Sequence, residues 1–408
     1  MKNKPTKVEQ IIERALRAKE AASRTVTAHR NLALSFIAEA LSKSADKICA
    51  ASEQDVALAK KNGADEEEAE KLRLDHVAIG AMSGMILNLS SCDDPADRTE
   101  TWQRENGITV TTKRVPLGIV LVLCGGSPKK AFEVAAMCLK AGNAALVMRS
   151  SETPNTDKVL FSLLGSAFAC CGIDADCVMP VRYEPDTLGE LLKRDREIDA
   201  LLLMGGKGLN SFVRANTKIP IIESSTGTVH IYVDEGADIR KAAQGIIASA
   251  TSSLPSSVSC VLVNWMISDE LLPTIDGLAM AAGVELSGDA RVRATLHGIS
   301  ENSESSLSSP HAGSVSLITV NSLEMALEHI ANHGDGICEC IYSENENNIS
   351  KFCAQADAGV ISVNSSPSHA NGYDVGFGGD LGISANKLRS RGPLGLNRLT
   401  TVKYIIKG

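Results

Sequence analysis

Residues 118–148, with the sequence GIVLVLCGGSPKKAFEVAAMCLKAGNAALVM, decide the fold class of this chain. An apolar run at 118–123 precedes a stretch with helical spacing at 131–140, and a second apolar run follows at 144–148. Short continuous apolar runs are typical of strands buried on both faces, and a helix between two of them is typical of a βαβ crossover. The sequence therefore predicts parallel strands covered by helices.

The same alternation continues towards the carboxyl side. Apolar runs at 178–181, 200–204 and 219–222 alternate with helical stretches at 156–171, 186–193 and 207–216. After Gly227 a second series begins, with strands expected at 229–233, 260–263, 315–320, 339–342 and 360–363. A chain of 408 residues is also longer than one ordinary core serves. We therefore expect an α/β fold with two parallel-sheet lobes, and a surface loop in the serine-rich stretch 300–309.

An antiparallel arm is expected outside these lobes. Asn106-Gly107 lies between extended runs at 101–104 and 109–114, and Asn-Gly in this setting is a strong hairpin signal. A further extended run occupies residues 400–407. The region before the hairpin has helical patterns instead.

Composition and charge exclude several classes of protein. Apolar residues make up 44% of the chain, and no apolar run reaches the roughly 18–20 residues of a membrane helix. The net charge of −8, without a basic block, argues against nucleic acid as a partner. The first residues lack an apolar signal core, and 11 cysteines without a Cys-x-x-Cys pair fit a reducing cytosol. We expect a cytoplasmic protein without a metal site, in which Cys338 and Cys340 alternate along one strand.

Two polar segments that follow predicted strands are candidates for binding a nucleotide. Gly205, Gly206, Lys207 and Gly208 lie between a buried strand and a helix, where glycines allow close approach and the helix N-terminus favours an anion. A dinucleotide pyrophosphate is one interpretation, and a plain strand-to-helix turn is the other.

The second of these segments spans residues 149–154. Its candidates are Arg149 for a phosphate, Glu152 for a ribose hydroxyl, and Ser151 between them. An ordinary helix cap with polar residues is the alternative interpretation.

Two further segments contain candidate site residues. Residues 376–384, which include Asp380, are too rich in glycine for regular structure, and both a shaped loop at a site and simple turns explain them. Cys260 begins a predicted strand. It is either a nucleophile, which requires exposure and a lowered thiol pKa, or a buried strand residue.

A series of motifs runs through almost the whole chain in a fixed order. They are RVPLGI at 114–119, CLKAGNA at 138–144, GGKGL at 205–209, PIIE at 220–223, HIYVD at 230–234, and a carboxyl-terminal series from 376 to 404 with RGP at 391–393 and LTT at 399–401. These motifs resemble those of the γ-glutamyl phosphate reductases, in the aldehyde dehydrogenase-like superfamily.

The resemblance implies an aldehyde dehydrogenase-like α/β fold with two lobes and an oligomerisation arm. We expect a nucleotide-binding lobe at residues 1–98 and 115–227 and a catalytic-type lobe at 228–372. Residues 373–399 would be a glycine-rich segment between the lobes. The arm would comprise residues 99–114 and 400–408, and it implies a homo-oligomer.

The activity that the resemblance implies is NADPH-dependent reduction of L-glutamyl 5-phosphate to glutamate 5-semialdehyde, in proline biosynthesis. In that family a cysteine thiolate displaces phosphate, NADPH reduces the thioester, and oxyanion donors stabilise the developing charge. The turn at 205–208 matches the family's cofactor turn. Glu223 matches a glutamate that activates water or relays a proton, and Asp380 stands where the family has a glutamate near the nicotinamide ribose.

The chain departs from the family pattern at the groups that carry this chemistry. Aligned on Pro255, the nucleophile position holds Val258; aligned on the following strand, Cys260 lies at the strand start. Ser127 and Lys129 replace an arginine and an oxyanion-stabilising asparagine. Loss of a nucleophile costs several orders of magnitude in rate, and loss of an oxyanion donor roughly 10²–10³.

Three hypotheses follow from these departures. The chain is a reductase of the family type, with Cys260 displaced but reachable and Lys129 as a substitute oxyanion donor. Alternatively, it is an inactive relative that serves as a structural or regulatory binding protein. Thirdly, it reduces another acyl phosphate or aldehyde, because serines at 127 and 368 in place of arginines suggest a less anionic ligand.

Overall fold

The strands expected from the apolar runs are present, and they form two parallel sheets. The computed structural model describes residues 6–225, 227–252, 254, 256–302, 313–388 and 390–408, and of Glu67 and Lys207 the backbone alone. Contacts divide the chain into a first unit, which runs up to Glu223 and includes Leu396–Gly408, and a second unit, Ser224–Gly395.

The regular elements of the first unit are helices α1–α9 and strands β1–β7 and β17. The helices are α1 (Lys7–Arg24), α2 (Thr27–Lys43), α3 (Ala45–Lys61), α4 (Glu66–Glu70), α5 (His76–Ser91), α6 (Pro128–Lys140), α7 (Pro154–Cys171), α8 (Pro185–Leu191) and α9 (Lys207–Asn216). The strands are β1 (Thr99–Gln103), β2 (Thr109–Pro116), β3 (Ile119–Cys124), β4 (Ala144–Arg149), β5 (Val178–Arg182), β6 (Ala200–Met204), β7 (Ile221–Glu223) and β17 (Thr400–Lys407).

A five-stranded parallel sheet with the order β5-β4-β3-β6-β7 is the centre of the first unit. Every residue of β3 is buried, because α1 packs against one face of the strand, with Ile119, Leu121 and Leu123, and α6 also packs against it. The chain passes from β3 to β4 and β5 on one side, and then continues with β6 and β7 on the other. The strand order therefore reverses between β3 and β6, which is where doubly wound sheets bind ligands.

The predicted hairpin is present and belongs to a three-stranded antiparallel sheet of order β1-β2-β17. Gly107 has φ +85°, a left-handed conformation that the turn requires. Strand β17 pairs with β2 along its whole length, from Thr400 opposite Pro116 to Lys407 opposite Thr109. The side chain of Arg114 fixes this pairing, since its Nε donates to Thr400 Oγ1 at 2.7 Å.

The second unit is built on a seven-stranded sheet of order β11-β10-β12-β9-β8-β13-β14, with all neighbours parallel. Its strands are β8 (His230–Val233), β9 (Cys260–Asn264), β10 (Glu285–Gly288), β11 (Ser300–Glu301), β12 (Ser314–Val320), β13 (Cys338–Tyr342), β14 (Val360–Val363) and, in a separate pair, β15 (Ile383–Ser384) and β16 (Gly392–Pro393). The helices among its described residues are α10 (Ile239–Ala250), α11 (Ser268–Ala282), α12 (Ala290–Thr295), α13 (Leu323–His333) and α14 (Glu346–Gln355).

Alternate residues of the central strands enter two apolar cores. Ile231 and Val261 pack with residues of α10 and α11, whereas Tyr232, Cys260 and Leu262 pack with residues of α13 and α14. Helices thus cover both faces of the sheet, as the continuous apolar runs predict.

The structure also bears on the predicted lack of a membrane helix and on the predicted loop at 300–309. No helix among the described residues is long and apolar enough to cross a membrane. In the predicted loop at 300–309, Ser300 and Glu301 instead form the edge strand β11, and residues 303–309 lie outside the described part of the chain.

Candidate functional site

Two glycine-rich turns meet at the carboxyl end of the five-stranded sheet. Gly125 and Gly126 follow β3, and Gly205 and Gly206 follow the neighbouring strand β6. The backbone nitrogen of Gly125 donates to the carbonyl oxygen of Met204 at 2.9 Å, so the two turns are held together. They lie at the reversal of strand order, where a nucleotide binds in folds of this kind.

Close packing explains two of the glycines of these turns, Gly125 and Gly205. A Cβ on Gly125 would lie 3.4 Å from the Cα of Gly205, and a Cβ on Gly205 would lie 2.7 Å from a methyl group of Leu209. Gly206 is the N-cap of α9 and has no side chain to accept from the first amides of that helix. The first amides of α9 therefore have no side-chain cap, and anion binding by the turn at 205–208 stays a prediction. Of Lys207 only the backbone is described.

A cavity of ≈ 570 Å³ lies beside these turns, at the end of β4. Three cations are among its lining residues, which are Arg149, Ser150, Ser151, Pro154, Asp157, Lys158, Arg182 and Tyr183. The Nε of Arg149 is buried and has no hydrogen-bond partner among the described residues. A buried guanidinium nitrogen without a partner is costly, and a phosphate oxygen is a suitable acceptor for it.

A second cavity, of ≈ 260 Å³, lies between the turn after β3 and the predicted segment after β4. Gly125, Gly126, Arg149, Ser151 and Glu152 all line it. Gly126 has φ +67°, and a Cβ there would lie 3.0 Å from Glu152 Oε2. The structure thus brings Arg149, Ser151 and Glu152 close to the glycine turns, and this combination of cations, glycines and a carboxylate fits a dinucleotide.

Asp157 is a buried carboxyl in the wall of the larger cavity. Burial raises its pKa to about 7, and the charge of Arg149 acts in the opposite direction. Its protonation therefore changes near neutral pH, which alters the charge that a bound phosphate meets. The sequence did not single out this residue, because an aspartate in the first turn of a helix is ordinary.

Lys129 and Glu223 also lie in the first unit. Lys129 is half-buried in the first turn of α6, whose N-cap Ser127 accepts from the backbone nitrogen of Lys130 at 3.3 Å. Glu223 ends β7 and binds Arg214, with Oε1 2.7 Å from Nη2, and also accepts from Asn210 Nδ2 at 3.0 Å. Both carboxylate oxygens of Glu223 are thus engaged by Arg214 and Asn210, and its role as a proton relay stays a prediction.

Cys260 is the first residue of β9 and is 1% exposed. Burial, and to a smaller extent the charge of Glu339, raises the pKa of its thiol. Val258, the alternative nucleophile position, is also buried, and its backbone nitrogen donates to Ser249 Oγ at 2.8 Å. A buried thiol with a raised pKa is a poor nucleophile, so the setting of Cys260 favours the second interpretation, a buried strand residue.

Asp380 lies in the glycine-rich segment of the second unit and is also buried. Its Oδ1 accepts from the backbone nitrogens of Gly372 and Gly382, each at 3.1 Å. The carboxylate therefore stabilises the loop that contains it. A contact between Asp380 and a nicotinamide ribose stays a prediction.

Three residues of the second unit form a cluster that the sequence did not indicate. His230, Cys260 and His329 come from two strands and a helix, and their ligand atoms all lie within 4.8 Å of one another. The sequence feature that could have indicated this cluster is Glu339, a charged residue in the otherwise apolar strand β13. A buried carboxylate needs a partner, and its partner is His230.

Comparisons with known proteins agree with the fold and with the motifs. The model of the aldehyde dehydrogenase family matches residues 1–282. The γ-glutamyl phosphate reductase of Clostridium botulinum (strain Alaska E43 / Type E3) is 32% identical over 408 residues, which cover 98% of each chain. That of Clostridium tetani (strain Massachusetts / E88) is 32% identical over 417 residues, covering 98% of this chain and 97% of the relative.

Solved structures extend the comparison. The crystal structure of γ-glutamyl phosphate reductase from Thermotoga maritima superposes with a TM-score of 0.90 at 28% identity and covers 99% of each chain. An acetylating aldehyde dehydrogenase from Geobacillus thermoglucosidasius gives a TM-score of 0.72 at 16% identity, over 98% of this chain and 96% of that chain. The predicted aldehyde dehydrogenase-like fold is confirmed.

Proposed function

We propose that this chain, which belongs to the γ-glutamyl phosphate reductase family of the aldehyde dehydrogenase superfamily, binds NADPH in its first unit. It does so without reducing an acyl phosphate through a cysteine thioester. It then acts as a binding protein that keeps the fold of a reductase. The family reaction, reduction of L-glutamyl 5-phosphate to glutamate 5-semialdehyde, is the alternative to be tested against it.

The burial of the thiols in the second unit carries this proposal. All 11 cysteines of the chain lie among the described residues. In the second unit, Cys260, Cys338 and Cys340 are buried in strands, and burial raises the pKa of each thiol. The remaining one, Cys353, is exposed on α14, away in sequence from the segment before β9 where the family has its nucleophile. A thioester requires a reactive thiolate at the site, which the three buried settings do not favour and Cys353 does not supply from its place in the sequence.

The residues of the first unit support the nucleotide half of the proposal. Arg149 would donate to a phosphate, and the first amides of α9 would bind the pyrophosphate. Lys158 and Arg182 line the same cavity, which favours the additional phosphate of NADPH over NADH. In the family reaction NADPH would supply hydride. In this chain Glu152 would accept from a free ribose hydroxyl of the bound cofactor.

The three-stranded arm supports a homo-oligomer. Strand β17 is the edge of its sheet, and Val402, Tyr404 and Ile406 are exposed along it. An edge strand with a row of exposed apolar side chains tends to pair with another chain. We propose a second copy of this chain as that partner, through residues 99–114 and 400–408.

One assay separates the hypotheses. Purified chain would be given glutamate 5-semialdehyde, phosphate and NADP, with the Clostridium botulinum relative as positive control, and NADPH binding would be measured by calorimetry. We expect NADPH to bind and turnover to equal that of the Cys260→Ser variant. Turnover close to that of the relative, abolished by Cys260→Ser or strongly lowered by Lys129→Ala, would establish the family reaction instead.

A panel of acyl phosphates and aldehydes completes the assay. Thiol-dependent turnover with a less anionic substrate alone would overturn our proposal in favour of a reductase of different specificity. Ser368, where the family has an arginine, is consistent with such a substrate, and its Oγ lies 2.8 Å from Ser366 Oγ. Failure of NADPH to bind would refute the nucleotide half of the proposal.

A further inference from the structure

The register of two strands and one helix brings a thiol and two imidazoles together inside the second unit. His230 on β8 is paired directly with Cys260 on β9. Paired residues of neighbouring strands project to the same face of a sheet. Helix α13 covers that face, and its residue His329 lies with Nε2 4.0 Å from Cys260 Sγ.

The hydrogen bonds of His230 leave one ring nitrogen without a partner. Its Nδ1 lies 3.0 Å from Glu339 Oε2, and the same oxygen accepts from the His230 backbone nitrogen at 3.0 Å. Because Oε2 is already an acceptor, Nδ1 is the donor in this contact, and in the neutral ring Nε2 then holds the lone pair. His230 is 0% exposed, and its Nε2 has no hydrogen-bond partner among the described residues.

A buried imidazole nitrogen with a lone pair and no donor needs an explanation. A carboxylate that accepts from the other ring nitrogen is the usual outer contact of a metal-binding histidine, because it fixes the tautomer and the orientation of the ring. Glu339 occupies this position for His230. One ring nitrogen of His230 lies within 4.8 Å of the ligand atoms of Cys260 and His329. Because Nδ1 is engaged by Glu339, Nε2 is the nitrogen that could bind an ion.

We propose that His230 Nε2, Cys260 Sγ and His329 bind a divalent transition-metal cation of the zinc class, with a fourth position for water or a small ligand. Thiolate and imidazole ligands select such ions, whereas magnesium and calcium require oxygen ligands. Bond lengths of about 2.3 Å to sulfur and about 2.0–2.1 Å to nitrogen place tetrahedral ligand atoms roughly 3.3–3.6 Å apart. The three atoms, now within 4.8 Å, must approach by about 1 Å.

This assignment gives the buried thiol a role other than that of a nucleophile. It departs from the expectation, drawn from the sequence, that the chain has no metal site. The residues suspected there, Cys338 and Cys340, remain outside the site: Cys340 Sγ donates to the carbonyl oxygen of Ser365 at 3.3 Å and packs in the core on the opposite face of the sheet.

Cobalt substitution tests the proposal without reference to enzymatic activity. The full chain would be dialysed against chelator and titrated with Co²⁺, then with Zn²⁺ as competitor. We expect one equivalent of Co²⁺ to bind, with a thiolate-to-cobalt charge-transfer band and the visible bands of tetrahedral cobalt. Zinc should displace the cobalt and raise the melting temperature, because an ion that binds the folded chain more tightly than the unfolded chain stabilises the fold.

Variants identify the ligands. Cys260→Ser should abolish the charge-transfer band, and His329→Gln and Glu339→Gln should each weaken binding by at least about tenfold. Cys353→Ser removes an exposed thiol on α14 and should change nothing. Helix α13 leaves His329 half-buried, so its variant is expected to fold even if Cys260→Ser does not. Substoichiometric cobalt binding, or a charge-transfer band that survives Cys260→Ser, would overturn the proposal.

Discussion

Asp55 caps a helix that begins about a hundred residues further along the chain: its Oδ2 accepts from the backbone nitrogen of Thr156 at 2.8 Å. Its Oδ1 accepts from Asn155 twice, from the backbone nitrogen at 3.1 Å and from Nδ2 at 2.8 Å. Thr153, the N-cap of α7 by position, makes no side-chain cap. A carboxylate of α3 thus supplies the cap of α7, directly after the segment with Arg149 and Glu152.

Replacing Asp55 by alanine should therefore destabilise the first unit. The variant loses a charged helix cap and leaves buried amides without acceptors, which together cost about 2–4 kcal/mol. Urea unfolding would measure the loss. Asp46→Ala, at an exposed position of the same helix, is the matched control and should change the free energy of unfolding by less than about 0.5 kcal/mol. Equal effects of the two variants would contradict the capping role.

Asp157 should make stability depend on pH. Burial raises its pKa to about 7, whereas an unfolded chain has a value of about 3.9. The bound proton therefore stabilises the fold fully below about pH 4, and this contribution is lost as the pH rises through about 7. The stability of Asp157→Asn relative to the parent should grow by about 1–3 kcal/mol between about pH 5 and pH 8. A difference that is constant or shrinks over this range would refute the assignment.

Arg149→Ala should weaken NADPH binding by about tenfold to a hundredfold, because hydrogen bonds to charged groups contribute about 1.5–3 kcal/mol. Calorimetry with NADPH and with NADH would measure the effect, and we expect the larger loss for NADPH. Arg24→Ala, which removes a strongly exposed arginine of the same unit, is the control. Unchanged NADPH affinity in Arg149→Ala would remove this residue from the site.

Thiol reactivity should follow burial. In native, chelator-treated protein, an aryl disulfide reagent should modify the exposed Cys170 and Cys353 rapidly and leave Cys260 intact. Stopped-flow traces of Cys260→Ser should keep both fast phases, whereas Cys353→Ser should lose one. If Cys260→Ser loses a fast phase instead, the thiol is accessible and the family reaction regains support.

Ile406→Asp should shift the assembly towards smaller species in sedimentation experiments. Ile406 is 66% exposed on the edge strand β17, and a charge there opposes burial against a second copy. Lys403→Asp is the matched control: it introduces the same side chain on the other face of the strand, since alternate residues point to opposite faces. The arm has no role in assembly if both variants sediment like the parent.

The elements with local signals were predictable from the sequence. Asn106-Gly107 fixes a hairpin by its own turn geometry, and the run at 118–123 is apolar throughout because both faces of β3 are covered. Strand β10 was not predicted, because Glu285, Ser287 and Gly288 give it no apolar pattern. Its pairing with β12 makes it a strand.

The candidate site was predictable only where it follows the ends of strands. Glycine turns and Arg149 stand directly after apolar runs, so the sequence located them. The cap between Asp55 and α7 and the cluster around His230 join residues distant in the chain, and only tertiary packing brings them together. For Cys260 the sequence left two interpretations open, because burial is a property of the packed sheet and its covering helices.

The pairing of β2 with β17 has a consequence for the order of folding on the ribosome. Residues 109–116 can pair with β17 only after the whole second unit has been synthesised. The buried Asn143 can likewise donate to the carbonyl oxygen of Leu399 only after that point. A nascent chain therefore carries the hairpin with one unpaired edge while the second unit emerges. Translational pausing within that unit should lengthen the exposure of this edge and favour mispairing between neighbouring nascent chains.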